Sequence, residues 1–229
     1  MSFPYPKTLE ACRRCPRLAK HREAVAEREV MRRKAYEGEE YWGKPVPGFG
    51  NKNAAILLLG LAPGAHGSNR TGRMFTGDGS GNFLFPALYR TLLSNQPDSV
   101  GLEDGLELNN LWITGACRCV PPSNKPTREE ILTCQDWLEY DFSGLPKLKL
   151  ILALGAIAHD SYLELLKRKG HKIVKNKYRF GHGELHSFED ALPMLDSYHV
   201  SFQNTNTGKL TPEMFDAVLE QAKEIAQKI

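Results

Sequence analysis

Ala54-Ala-Ile-Leu-Leu-Leu-Gly60 is the stretch on which the reading of the fold turns. It is short and continuously apolar, the pattern of a strand buried on both faces in a helix-covered parallel sheet. Working forward, residues 61–81 form a long polar loop with six glycines. Residues 82–94 read as a helix, with Phe83, Leu84, Ala87, Leu88 and Leu92 near helical spacing. Residues 111–116 read as a second strand and 121–126 as a loop. Thr127 and Glu130 then compose a capping box that opens a helix to about Tyr140. Residues 148–154 read as a third strand, and a helix runs from about Ala156 to Lys169 with Gly170 after it. Residues 192–198 are a fourth strand candidate. Thr211-Pro212 starts a last helix, with proline at its first position. Its apolar stripe is Phe215, Val218, Leu219, Ala222, Ile225, Ala226 and Ile229. The alternation predicts an α/β fold, a sandwich around a mostly parallel sheet. Ligands in such folds sit outside the carboxyl ends of the strands. The loops at 61–81, 117–126 and 199–210 each follow a strand and are therefore expected to converge.

Toward the N-terminus, residues 37–53 read as a loop and 7–36 as a basic helical segment broken near Pro16. That segment sets Arg13, Arg14, Arg17, Lys20, Arg22, Arg28, Arg32, Arg33 and Lys34 against Glu23, Glu27 and Glu29, about +6 locally where the whole 229-residue chain carries only +3. With 41% hydrophobic and 25% charged residues the composition is that of an ordinary globular protein. It excludes a disordered chain, a collagen and a coiled coil. The chain is long enough to bury roughly 70% of its surface in one domain, residues 1–229. Its apolar runs fall short of the roughly 20 residues of a membrane helix. The start, Met-Ser-Phe-Pro-Tyr-Pro, lacks a signal pattern. A soluble, cytoplasmic protein is expected.

The chain has five cysteines, an odd number. Cys12 and Cys15 are a C-x-x-C pair, and Cys119 and Cys134 lie far downstream. Cys134 shares a helical face with Ile131 and Leu138. Cys117, two residues before Cys119, is the odd one. Four thiolates can hold zinc or a [4Fe–4S] cluster, or Cys119 and Cys134 are simply small buried residues like Cys117. Spacing does not choose among these.

The loop reads Gly60-Leu-Ala-Pro-Gly-Ala-His-Gly-Ser-Asn-Arg-Thr-Gly-Arg-Met-Phe-Thr-Gly-Asp-Gly-Ser-Gly81. It is neither a Walker loop nor a dinucleotide-binding fingerprint. Its glycines let backbone amides approach a ligand closely. Phe75 among small polar residues is a platform suited to stacking a base. Asp78 is a carboxylate available as a general base or as a partner for a developing cation. The plain alternative is a flexible surface turn.

This loop resembles motif A of the thermophile-type uracil-DNA glycosylases, and more closely that of family 5, the B-type enzymes. Family 4 has an acidic residue where Leu61 stands. Tyr198-His-Val-Ser-Phe-Gln-Asn-Thr-Asn-Thr-Gly208 is similar to the family's H-x-S-x-Q-N segment, and Arg118-Cys-Val-Pro-Pro-Ser-Asn-Lys-Pro-Thr127 to its R-C-x-P-P-x-N-[KR]-P-T. The resemblance covers nearly the whole chain. It implies a three-layer α/β/α sandwich around a short central sheet, with the N-terminal arm (about residues 1–50) tied in by a structural [4Fe–4S] cluster on Cys12, Cys15, Cys119 and Cys134. It also implies that Phe75 stacks on a flipped base, that Asp78 activates water, and that Asn124 and His199 belong to the catalytic site.

Backbone amides around Gly60, Ala62 and Gly64 are expected to bind the base's carbonyl. Gly115 stands where family 4 carries an Asn that reads the pyrimidine edge, which implies a wider pocket. Met74 replaces a common proline, with a small effect on loop stiffness expected. Arg70, Arg73, Lys125, Asn204 and Lys209, with Arg118 and Arg128, are expected to meet DNA phosphates. The Arg-rich arm either extends that groove or is a solvated face. The implied activity is excision of uracil and other deaminated bases (hypoxanthine, xanthine) from DNA by a monomeric base excision repair enzyme of the nucleoid. The alternatives are a family 4-like enzyme restricted to uracil, or a non-catalytic nucleic-acid module with a four-cysteine metal site. His21, His66, His159, His171, His182 and His186 receive no role.

Overall fold

The structure, a computed structural model, describes residues 7–31 and 33–228. Arg32 of the basic segment, Ile229 of the last stripe and the first six residues lie outside the described residues. The apolar stretch forms β2 (Ile56–Gly60), the middle of a six-stranded sheet. The other strands are β1 (Phe49–Gly50), β3 (Leu111–Gly115), β4 (Leu150–Leu154), β5 (Leu185–Phe188) and β6 (Ala191–Ser197), in the order β1-β3-β2-β4-β6-β5. The inner four are parallel, as the alternation predicts. The two edges, β1 and β5, are antiparallel. The sequence reading missed both, because β1 has two residues and β5 is half exposed, so neither shows a run or a clean alternation.

The helices are α1 (Lys7–Glu10), α2 (Pro16–Ala26), α3 (Ser68–Thr71), α4 (Gly81–Arg90), α5 (Arg128–Gly144), α6 (Ala156–Arg168), α7 (Phe202–Asn206) and α8 (Pro212–Lys228). Every residue of β2 is buried because its two faces serve two layers. Ile56 and Leu58, with Ile113 and Leu152, pack toward α4 and α8. Leu57 and Leu59, with Trp112 and Ile151, pack toward α5 and α6. Each such leucine or isoleucine contributes about 1.5–3 kcal/mol on burial. The result is the expected three-layer sandwich.

Boundaries shift in two informative places. The helix expected over 82–94 ends at Arg90, since Leu92 adopts φ +60° and turns the chain back. The basic segment expected over 7–36 is α-helical only in α1 and α2, the latter ending at Ala26, with Arg28 and Met31 at positive φ and a 3₁₀ turn at Lys34–Tyr36. The capping box forms as read: Thr127 Oγ1 accepts from the Glu130 N–H, and Glu130 Oε2 accepts from the Thr127 N–H. Among the described residues no helix is long and apolar enough to cross a membrane.

The chain leaves β2 toward the α4 face and leaves β4 toward the α6 face. These neighbouring parallel strands therefore open a crevice at their carboxyl ends, the topological switch point where such sheets bind ligands.

Candidate active site and cysteine cavity

Gly60 ends β2 at this crevice. Its carbonyl accepts from the Ala116 N–H (2.9 Å) and that of Leu61 from the Cys117 N–H (2.9 Å), so the loops after β2 and β3 travel together. The glycine-rich loop is stitched rather than loose. Ser68 Oγ accepts from the Phe75 N–H (2.9 Å), and Thr71 Oγ1 donates to the Gly67 and Thr76 carbonyls. Asn69 Nδ2 donates to the Arg22 carbonyl, joining the loop to α2. These bonds set aside the flexible-turn alternative.

They also hold Phe75 in a left-handed conformation, φ +58°. Its ring is only 5% exposed and lies over Gly60. A Cβ at Gly60 would stand 2.6 Å from Phe75 Cζ, so only glycine admits the ring there. Asp78 sits where the loop enters α4. Its Oδ1 accepts from the Ser80 and Gly81 N–H groups (3.0 and 3.1 Å), while Oδ2 faces the Gly64–Gly67 turn, where a Cβ at Gly64 would lie 2.8 Å from it. Burial raises the Asp78 carboxyl above the ordinary carboxylate range, against the opposing pull of the two amides and Arg70. His199, just past β6, packs beside Gly155, and its ring centroid is 6.3 Å from that of Phe75. Burial pulls His199 down to about 4, so it is a neutral imidazole at neutral pH. Gly60, Gly64, Phe75, Asp78 and His199 thus come together, with Ala62 on the connecting loop.

Gly115 is in register with Gly60 across the sheet. A Cβ there would meet Met74 Cε and the Cys117 carbonyl, each at 2.9 Å. The space beside Gly115 is thus occupied by the buried Met74 side chain. Asn124 stands on an exposed turn, at φ +56°, its N–H donating to the Pro121 carbonyl. Cys117 follows β3 in the loop, fully buried.

The expected phosphate contacts need correction. Arg73 is 6% exposed and pairs with the buried Asp104, also donating to the Gly101 carbonyl and Thr76 Oγ1. Arg118 is buried and paired with Asp141. Both fasten the scaffold. Arg70 is half-buried, stacked on Tyr36 and bound to Glu39 and the His66 carbonyl. Asn204 Nδ2 donates to the His199 carbonyl (2.8 Å), so it shapes the His199 loop. Arg128 is exposed but paired with Glu164. Lys125 and Lys209 are exposed, and Lys209 Nζ lies 4.8 Å from the Tyr198 ring centroid. In the arm, Arg13, Arg14 and Arg17 pair with Glu23, Asp136 and Glu130. That local charge docks the arm more than it projects a groove.

Cys12, Cys15, Cys119 and Cys134 line one small cavity, walled by Leu18, Pro45 and Trp137. All five cysteines are free thiols. Burial pushes the Cys15 thiol up to about 11 and Cys119 up to about 12, while a hydrogen bond from Cys117 and the nearby Arg118 pull Cys134 down. Four cysteine sulfurs facing one cavity are the donor set that a zinc ion or an iron–sulfur cluster occupies, so the residues fit such a group. Arg22 reaches the cavity and donates from Nη1 to Cys119 Sγ (3.1 Å) and to the Cys12 carbonyl (3.0 Å). In sequence it was one charge among many.

Phe202 was also missed. It is 70% exposed at the start of α7, on the rim beside Gly79. A lone aromatic between Ser and Gln carries no periodic signal.

A family model described as the Uracil DNA glycosylase superfamily matches residues 47–223. A Type-5 uracil-DNA glycosylase of Thermus thermophilus is 50% identical over 97% of this chain and 97% of its own length. One from Mycobacterium bovis is 46% identical over 95% of this chain and 79% of its own. A third, from Pyrobaculum aerophilum, is 43% identical over 93% of this chain and 88% of its own.

Proposed function

The chain belongs to the uracil DNA glycosylase superfamily, on its type-5 branch, and from that premise we propose how its residues cut a base from DNA. It is a DNA glycosylase, a hydrolase that removes uracil and leaves an abasic site for base excision repair. What supports the assignment of roles is the meeting of Phe75, Asp78 and His199 at the crevice between β2 and β4.

The target nucleotide leaves the helix at a cost of a few kcal/mol, least for a mispaired base. Stacking on Phe75 returns about 1–3 kcal/mol. Amides around Gly60, Ala62 and Gly64 donate to the base carbonyl. As the bond between C1′ and the base nitrogen breaks, its electron pair leaves with the base and positive charge grows on the sugar. Asp78, ionised, faces that charge and holds the attacking water, whose oxygen bonds to C1′. The water's proton passes to Asp78 and on to the departed base or solvent. Neutral His199 donates a hydrogen bond to the base oxygen that gains charge. Asn124 assists only if its exposed turn closes on bound DNA. Lys125, Lys209 and, at the rim, Phe202 meet the nucleic acid.

The base range extends beyond uracil to hypoxanthine and xanthine. Supporting this is the wall at Gly115, built from the flexible Met74 rather than from a side chain that hydrogen-bonds one base edge. Cys12, Cys15, Cys119 and Cys134 hold a [4Fe–4S] cluster whose contribution is structural cross-linking. The chain works as one domain and as a monomer, its N-terminal arm (about residues 1–50) fastened at the cysteine cavity, in the cytoplasm with the nucleoid DNA. The test is a labelled duplex panel with uracil, hypoxanthine or xanthine, incubated and then treated with alkali. Wild-type protein yields strand breaks at all three, and Asp78→Ala binds the uracil duplex but leaves it uncut. Normal single-turnover rates in that variant would rule out the role of Asp78, and strict uracil specificity would rule out the wider range.

A further inference from the structure

Residues 167–179 read Lys-Arg-Lys-Gly-His-Lys-Ile-Val-Lys-Asn-Lys-Tyr-Arg, with seven lysines and arginines and no acid. A run of this kind is often only a solvated face, and several of its charges are spent on the scaffold. Lys167 pairs with Glu164, Arg168 with Asp136, and Lys175 with Asp160 and Glu164. Lys169 lies over the Phe142 ring. Lys177 and Arg179 are exposed and make no ion pair among the described residues.

Their position sets them apart. The His171 N–H donates to the Leu166 carbonyl near the end of α6, whereas the Tyr178 carbonyl accepts from His159 Nε2 (3.1 Å) near its start. The segment therefore climbs the flank of α6 toward the carboxyl edge of the sheet, with Lys169 and Lys172 at the remote end and Lys177 and Arg179 at the near end. Just beyond Arg179, the Phe180 ring packs against Tyr198 (6.2 Å), and His182 stacks on the same tyrosine (4.9 Å between centroids, 19° between planes). Tyr198 precedes His199.

The near end is also held rigidly, by buried polar groups that the reaction does not use. Asp196 on β6 accepts from His159 Nδ1 (2.8 Å), His186 Nε2 (3.0 Å) and the Gly181 N–H (3.3 Å). The Tyr178 ring packs on Phe188 (4.7 Å) and the Phe180 ring on His159 (5.8 Å). Tyr178 and Phe180 are anchored inward, and Arg179 between them is left in solvent. Buried histidines and an aspartate thus fix the backbone under an exposed pair of cations.

We propose that Lys177 and Arg179, with Lys209 over the same Tyr198 ring, form a phosphate-binding strip that seats the DNA backbone beside His199. The ligand is the phosphodiester backbone of a duplex, bound without regard to sequence. The proposal rests on the glycosylase reading above and extends its DNA contact along the α6 flank.

The experiment measures binding by fluorescence anisotropy. The probe is a duplex of about 30 base pairs with one uncleavable abasic analogue, titrated from about 50 to 200 mM KCl. Lys177→Gln/Arg179→Gln is expected to flatten the slope of log affinity against log salt by about 2, roughly 0.9 for each lost contact. The matched pair Lys169→Gln/Lys172→Gln, which removes equal charge from the remote end, keeps the wild-type slope. Single-turnover cleavage of a uracil duplex at saturating enzyme stays at the wild-type rate in Lys169→Gln/Lys172→Gln.

A wild-type slope in Lys177→Gln/Arg179→Gln overturns the proposal, and so does an equal flattening in the two pairs. Loss of binding to phosphatidylglycerol vesicles with an unchanged DNA slope assigns the strip to membranes and overturns it as well. A wild-type protein that binds the duplex but leaves no alkali-labile site in uracil DNA refutes the glycosylase reading alone, since the slopes need no cleavage.

Discussion

A methyl group at Gly60 would lie 2.6 Å from Phe75 Cζ, and the packed loop leaves that ring little room to retreat. Gly60→Ala is therefore expected to destabilise by about 1–3 kcal/mol through overpacking and to lose cleavage more than tenfold as the ring tilts. Combining it with Phe75→Leu recovers the lost stability but not the activity. Additive melting-temperature losses in the double variant would refute the clash. Protonation at the site is set by burial as well. His199 is pulled down to about 4 from the ordinary histidine value of about 6.5. Between these values the unfolded chain binds a proton that the folded chain refuses, so stability falls as pH drops through that window. His199→Gln should lack this component in melts recorded at successive pH values. For the same reason cleavage shows no histidine limb between about pH 6 and 8. The glycine-rich loop made Phe75 and Asp78 legible as candidates, and the segment Tyr198–Gly208 did the same for His199. The loss of Arg73 and Arg118 to internal ion pairs was not legible, because an arginine's partner depends on which acid the fold brings near.

Among the elements, α5 shows how one local signal serves two levels. Thr127 and Glu130 close the capping box, and Glu130 also accepts from Arg17 Nε and Nη2 (2.8 and 2.6 Å), docking α2. Thr127→Ala should cost about 1 kcal/mol, the usual value of a lost cap. Glu130→Ala removes the cap partner and the arm contact together, and should cost more even though the half-exposed Arg17 discounts the ion pair. Equal losses in chemical denaturation would mean that the arm contact adds nothing. The box was readable because capping is a four-residue affair. The edge strands β1 and β5 were not, since their pairing with β3 and β6 is non-local and their sequences are too short to carry a period.

Across the whole molecule, the cysteine cavity gathers the turn after α1, α2, the loop after β3 and α5 at one point. Purified protein is expected to carry iron with absorption near roughly 400 nm, and zinc without that band would replace the cluster reading. Cys134→Ser should lose the metal, lower the melting temperature and expose the arm to protease between α1 and α2. Cys117→Ser should keep the metal content, since Cys117 sits behind Cys134 and does not line the cavity. The sequence by itself determined the layer architecture, because burial on two faces forces continuous apolar runs. It determined the identity of the ligand loops too, because their glycines, Phe75 and Asp78 are contiguous in the chain. Only the tertiary structure decided which charges face solvent, that Met74 fills the space at Gly115, and that residues 177–179 lie beside the start of α6. The physical reason is that ion pairing, side-chain packing and surface position are fixed by residues distant in sequence, and their partners are named only once the chain has closed on itself.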